Sequence, residues 1–163
     1  MTKNSNRLQS RRSAVALFMV LGCAVASAQN TQEHVHQMGH NVMPFDLAKT
    51  THIFQMTDSG GVERVITKGA SAKDQVPLIQ QHLKYEAEAF QRGDYSDPAS
   101  LHGENMPGLK ELHAGASHIK VSYSALPNGA EIILKTTDLK LLTAIHRWFG
   151  AQLSEHGADA KAE

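Results

Sequence analysis

Residues 51–68 read THIFQMTDSGGVERVITK. Two β-rich runs, 51–57 and 62–68, flank Asp58-Ser59-Gly60-Gly61, and a Gly-containing turn between such runs is a hairpin signal. The stretch that follows, SAKDQVPLIQQHLKYEAEAFQRG, places Val76, Ile79, Leu83, Ala87 and Phe90 at helical spacing, with Gly93 near the stop. Pro77 is compatible with a helix if it lies in the first turn, so the helix is expected to start between Lys73 and Val76.

The same order recurs further on. SHIKVSYSAL and AEIILKT flank Pro127-Asn128-Gly129, a second hairpin with an Asn-Gly turn. DLKLLTAIHRWFGAQLSEHG then places Leu142, Ile145, Phe149 and Leu153 on one helical stripe. Aligned, His52 meets His118, Glu63 meets Glu131, and Asp74, Leu78 and His82 meet Asp138, Leu142 and His146. An internal duplication is one reading, and the recurrence of two common hairpin-helix patterns is the other. Either way the expected fold class is α+β: two ββα units forming a four-stranded antiparallel sheet with two helices on one face. Strand facing conflicts between the halves. Phe54 and Met56 share the phase of His52, whereas Val121 and Tyr123 oppose that of His118, so a bulge or shifted register is expected in one hairpin.

The rest divides into short segments. Residues 1–28 carry Lys3, Arg7, Arg11 and Arg12, an apolar run from Ala14 and an Ala26-Ser27-Ala28 close, the order of a signal peptide. The run is too short for a membrane span. A periplasmic or secreted protein is expected, exported by a Sec signal or through the twin-arginine-like SRRSAVA; a lipoprotein anchor at Cys23 is the lesser alternative. Residues 29–46 read as a flexible His/Met-rich arm, 47–157 as a single α+β domain and 158–163 as a frayed tail. Residues 94–117 are rich in turn formers, with one short helix expected from Pro107 to His113.

Removal of four of the 16 basic residues leaves 12 against 16 acidic ones, a mildly acidic chain that argues against nucleic acid as a partner. The single cysteine, Cys23, goes with the signal, so disulfides, thiolate zinc sites and a Cys nucleophile are excluded from the mature chain. All ten histidines follow residue 33. In the arm, His34, His36, Met38 and His40 stand close together, with Met43 and His52 behind them. Imidazole with thioether sulfur favours copper over magnesium or calcium. The leading expectation is therefore a metal-binding protein, holding copper through His34, His36, Met38, His40, Met43 and His52, with a solvated leader as the bland alternative.

Two other readings stand beside it. A cleft between the ββα units holds a small molecule or haem through His82 or His146, unless these are hydrogen-bonded core histidines. Alternatively a small hydrolase-like enzyme uses His102 with Asp97 or Glu104, from a linker group that also holds Asp94, Met106 and His113. Signatures of known enzyme classes are missing: there is no Gly-x-Ser-x-Gly elbow, no His-Glu-x-x-His helix and no phosphate-cradling Gly-rich loop. Glu86 and Glu88 read as solvated, although Glu86 falls four residues after His82 and shares its side. Oligomeric state is not fixed by any of these features.

At MPFDLAKTTHIFQMTDSGGVERV and AIHRWFGAQLSEHG the chain resembles a family of small exported bacterial proteins whose members often carry the label aspartate carbamoyltransferase. The sequence departs from that label. A carbamoyltransferase catalytic chain is about twice as long and has a Ser-Thr-Arg-Thr loop, where this chain has Lys49-Thr50-Thr51-His52. No catalytic residue is carried over from the resemblance.

Overall fold

The computed structural model describes residues 32–163. The expected signal peptide and the first residues of the arm lie outside them. A first helix, α1, covers residues 32–38. Two short 3-10 turns, Gly39–Asn41 and Leu47–Lys49, lead into strands β1 (Thr50–Thr57) and β2 (Gly60–Thr67). After the 3-10 segment Ala70–Gln75 come α2 (Val76–Gln91), α3 (Ser96–His102) and α4 (Leu109–Gly115), then β3 (Lys120–Leu126), β4 (Gly129–Lys135), α5 (Leu139–His156) and β5 (Ala160–Ala162).

The fold is α+β, with a five-stranded mixed sheet in the order β3-β4-β2-β1-β5 in place of the expected four antiparallel strands. Four strands are antiparallel. The fifth comes from the tail expected to fray: β5 pairs parallel with β1, Ala160 opposite His52 and Ala162 opposite Phe54. Each hairpin turns on two residues, Asp58-Ser59 and Pro127-Asn128. The hairpins join through β2 and β4, where Glu63 faces Ile132 and Val65 faces Ala130.

Strand facing follows without a bulge. His52 and Phe54 of β1 register with Val65 and Glu63 of β2, then with Ala130 and Ile132 of β4, then with Ala125 and Tyr123 of β3. Successive side chains alternate across a sheet, so these share one face. The apparent conflict arose from counting from His118, which precedes β3 in the 3-10 turn Ala116–His118 and is exposed.

Each long helix lies over the other half's hairpin. Helix α2 packs on β3 and β4, and α5 packs on β1 and β2. Pro77 falls in the first turn of α2, as expected. Asp138 caps α5 by accepting from the Lys140 and Leu141 amides, whereas its aligned counterpart Asp74 lies inside a 3-10 segment and caps nothing. The residues matched by the sequence alignment thus play unmatched parts. The buried face of α5 is Leu141, Ala144, Ile145, Trp148, Phe149, Gln152 and His156, turned from the expected stripe so that Leu142 and Leu153 sit at its margins. Phe149 meets Phe54 at 5.1 Å between ring centroids. It also lies so close over Gly61 that no Cβ has room there.

The linker holds two helices, not one. Ser96 opens α3 with its amide on the Asp94 carboxylate at 3.0 Å, and Gly103, at φ 93°, ends it in a conformation that glycine adopts without steric cost. Helix α4 starts at Leu109 and packs on α5. The described part of the arm, from residue 32, is also folded: Val35, Met43 and Phe45 are buried and belong to the main core. Among the described residues no helix is long and apolar enough to cross a membrane.

Candidate functional site

Between α2, α3 and α5, over the β2–β4 junction, lies a small cavity of about 50 Å³. Its wall holds four histidines, His52, His82, His102 and His156, and three acids, Glu63, Glu86 and Asp97. Val42 and Met43 close one side, and Trp148 and Gln152 line it from α5. β1, β2, β4, α2, α3 and α5 each contribute, which explains why residues scattered from 42 to 156 meet here.

The imidazoles form a row. His52 stacks on His156 with centroids 4.7 Å apart, and His156 meets His102 at 5.1 Å. Phe45 of the arm packs on His52 at 5.9 Å and on His82 at 5.6 Å. His102 donates from Nδ1 to the Glu155 carboxylate at 2.7 Å, and its side chain is 1% exposed. That bond fixes the proton on Nδ1 in the neutral ring and leaves the Nε2 lone pair free, the arrangement carboxylates impose on metal-bound histidines.

Burial governs the charge state. It holds His52 well below the ordinary histidine range, helped by the neighbouring His156, His82 and His102. His156 is pushed down to about 3, by burial first and then by His102. His82 and His102 are lowered by burial too, partly offset by Asp97 and by Glu155 respectively. All four are therefore neutral near pH 7 and have a basic nitrogen available. The acids move the other way. Burial raises Glu63 to about 7, and it raises Glu86 to about 9, reinforced by the nearby Asp97. Glu86 is thus a neutral carboxyl near pH 7.

Among the described residues, five buried polar atoms on residues lining this cavity find no hydrogen-bond partner: His52 Nδ1, His156 Nδ1, Glu86 Oε1, Gln152 Oε1 and Trp148 Nε1. Each unpaired buried polar group costs roughly 1–3 kcal/mol, and such groups are rare enough that a cluster needs a reason. Among the described residues, however, no group of three or more His, Cys, Asp or Glu side chains is already placed to hold a metal ion.

The structure scatters the expected arm ligands. His34 and His40 are exposed and Met38 is 40% exposed, while Met43 is buried in the cavity wall. His36 turns away and bonds Asp159 at 2.9 Å, whose other oxygen meets Lys68. Only Met43 and His52 of that set reach the cavity. His82 reaches it as the cleft reading expects, whereas His146 bonds the Thr57 and Gly60 carbonyls at 3.1 and 3.0 Å. Of the linker group, Asp97 and His102 converge here, and Glu104 lines a separate surface depression with Asp94 and His113. Glu86, read as solvated, is 6% exposed.

Comparison with known proteins finds no matching family model, no matching curated protein and no matching solved structure.

Proposed function

We propose that the protein binds a transition-metal ion, copper before others, in the internal cavity, with His52, His82, His102 and His156 as principal donors. The observation that carries this reading is that one imidazole-lined cavity gathers residues with buried polar atoms left unpartnered among the described residues. Its size supports an ion: about 50 Å³ is far below the ~300–1,000 Å³ of small-molecule sites, so a haem has no room without repacking. The chemistry supports it too, since the donors are neutral imidazoles and carboxylates, with no thiolate. Side chains must turn to coordinate, because no three ligands stand ready among the described residues. The protein acts, on this reading, in the periplasm or outside the cell.

Copper titration of the purified protein tests it. A His52→Phe/His156→Leu variant is expected to lose about a hundredfold in affinity, equivalent to about 2.7 kcal/mol, while a His34→Ala/His36→Ala/His40→Ala variant stays within a few-fold of the parent. Loss in the arm variant with retention in the cavity variant overturns the assignment.

A second reading draws on the carboxyl pair. Glu86, protonated up to about pH 9, beside Asp97 and a neutral His102 is an acid–base set of the kind hydrolytic sites use. Hydrolysis of a chromogenic ester, lost in Asp97→Asn and kept without added metal, favours this alternative.

A further inference from the structure

The two edges of the sheet end differently. Beyond β1 the chain adds the three-residue β5, whereas beyond β4 lies the seven-residue β3, with no strand outside it among the described residues. A free edge offers unpaired amides and carbonyls to a second strand, and folds that stay apart blunt it with proline, a bulge or a central charge. KVSYSAL has none of these: its one charge, Lys120, stands at the start, and the register with β4 runs unbroken from Lys120 opposite Lys135 to Leu126 opposite Gly129. Helix α2 reaches this strand at both ends. Gln80 donates to the Leu126 and Gly129 carbonyls at 3.0 and 3.2 Å, while the Gln91 carboxamide accepts from the Val121 amide at 2.9 Å and donates to the Ile119 carbonyl at 3.1 Å. Gln91 thus pairs with β3 as a neighbouring strand would, and stops there. Amide direction alternates along a strand, so the Tyr123 and Ala125 amides point outward with that of Val121, and among the described residues they meet no partner.

We propose that the β3 edge is a self-association surface: two copies of this chain join antiparallel across β3, about a two-fold axis at Tyr123, into one continuous sheet. The strand is near-palindromic about that residue, so the pairing sets Tyr123 opposite Tyr123, Ser122 opposite Ser124 and Val121 opposite Ala125. The Tyr123 and Ala125 amides then donate to the Tyr123 and Val121 carbonyls of the second copy, while Gln91 keeps the Val121 amide. Because α2 packs on β3 and β4 alike, its axis lies about half a strand spacing inside β3, and the two-fold sets the two α2 helices about 10 Å apart, the distance of packed helices. Charge selects the register. Helix α2 runs from Gln80 beside Leu126 to Gln91 beside Val121, so Tyr123 lies near the level of Tyr85. The two-fold therefore brings Lys84 of one copy to the level of Glu88 of the other; both are exposed, and neither makes an ion pair among the described residues. An axis moved to Ser124 opposes Lys84 to Lys84 instead. The opposite side of α2 carries Leu83, Glu86 and Phe90 into the cavity wall, so association braces a helix that lines the cavity.

Sedimentation equilibrium of the purified protein over a range of concentrations tests this. The parent is expected to dimerise, with a dissociation constant that weakens about tenfold in Lys84→Glu and in Glu88→Lys, each of which opposes like charges across the two-fold, and returns to within about threefold in Lys84→Glu/Glu88→Lys. Ala125→Pro removes an outward amide and no bond to β4, so it is expected to stay monomeric with its urea midpoint little changed. A parent still monomeric at about 0.1 mM, or a double swap as weak as either single swap, overturns the proposal. A folded Ala125→Pro that dimerises like the parent overturns the strand pairing and places the contact on another surface. Should Ala125→Pro fail to fold, the charge swaps and their rescue decide alone.

Discussion

Helix α2 buries Glu86 under the sheet and holds His82 at the cavity edge, whereas α5, its counterpart in the second half, buries Trp148 and Phe149 and turns His146 toward a β-turn. The two hairpin-helix halves share an order of elements and divide the work. The first supplies polar groups from strand and helix, namely His52, Glu63, His82 and Glu86; the second supplies Ile132 and Trp148 and adds polar groups only near its end, at Gln152 and His156. Because each helix covers the other half's hairpin, the polar groups of the first half meet Ile132 and Trp148 of the second as well as their own Leu83 and Phe90. The cavity is thus a product of interlocking and belongs to neither half alone.

The largest effect that separates the halves is packing. Phe149 is fully buried against Phe54 and Gly61. Phe149→Ala is expected to cost about 3–5 kcal/mol, the range for deleting a buried aromatic ring, read as a lower midpoint in urea unfolding. A cost under about 1 kcal/mol would show that α5 is not the packing half.

Much of this architecture is legible in the chain, and the exceptions have physical reasons. The hairpins and the two long helices announce themselves by period and turn chemistry. Strand β5 does not: Ala160-Lys161-Ala162 has no β-propensity and pairs only because β1 leaves an open edge. Helix α3 is seven residues long, too short for a periodicity window, although Ser96, Pro98 and Gly103 mark its start and stop. Glu86 was within reach. It lies three residues after Leu83 and four before Phe90, both on the buried stripe, and a charge bracketed in this way is a buried group. The cavity as a whole was not legible, since no sequence pattern brings His102 of a linker to His156 of the last helix.

A middle-sized effect lies in the acids of the first half, and it depends on pH. Glu86 rises from its ordinary range to about 9 on folding, so between roughly pH 4.5 and 9 the folded chain holds a proton that the unfolded chain has released. Stability therefore falls as pH rises through that window. Glu63, raised to about 7, adds to the slope below that pH, so Glu86→Gln removes the slope above it and is expected to be more stable than the parent at pH 9 by roughly 1–3 kcal/mol, and similar near pH 4.5. The histidines give the opposite limb. Their pKa values fall on folding, His156 to about 3, so the stability of their neutral, buried form is present above about pH 6.5 and is lost as pH falls toward 3. Urea midpoints measured from pH 4 to 9 should pass through a maximum in the parent. A Glu86→Gln curve that still declines above neutrality would place the alkaline limb elsewhere.

The smallest effect concerns the two aligned histidines, and it sharpens the comparison most directly. His146 donates from Nε2 to the carbonyls of Thr57 and Gly60, so it ties α5 to the first hairpin's turn. His82 makes no such bond among the described residues; it packs against Phe45 and lines the cavity, with burial lowering its pKa. In His146→Leu the two carbonyls lose their donor, and a stability loss of about 1 kcal/mol is expected with copper affinity unchanged. His82→Leu exchanges a partly buried imidazole for an apolar chain, so its stability should hold or rise slightly while copper affinity falls. Urea unfolding and copper titration of the two variants give four numbers with opposite patterns. Equal stability losses with equal affinities would mean that both histidines are packing residues, and the division between a donor half and a packing half would fail at the pair that best defines it.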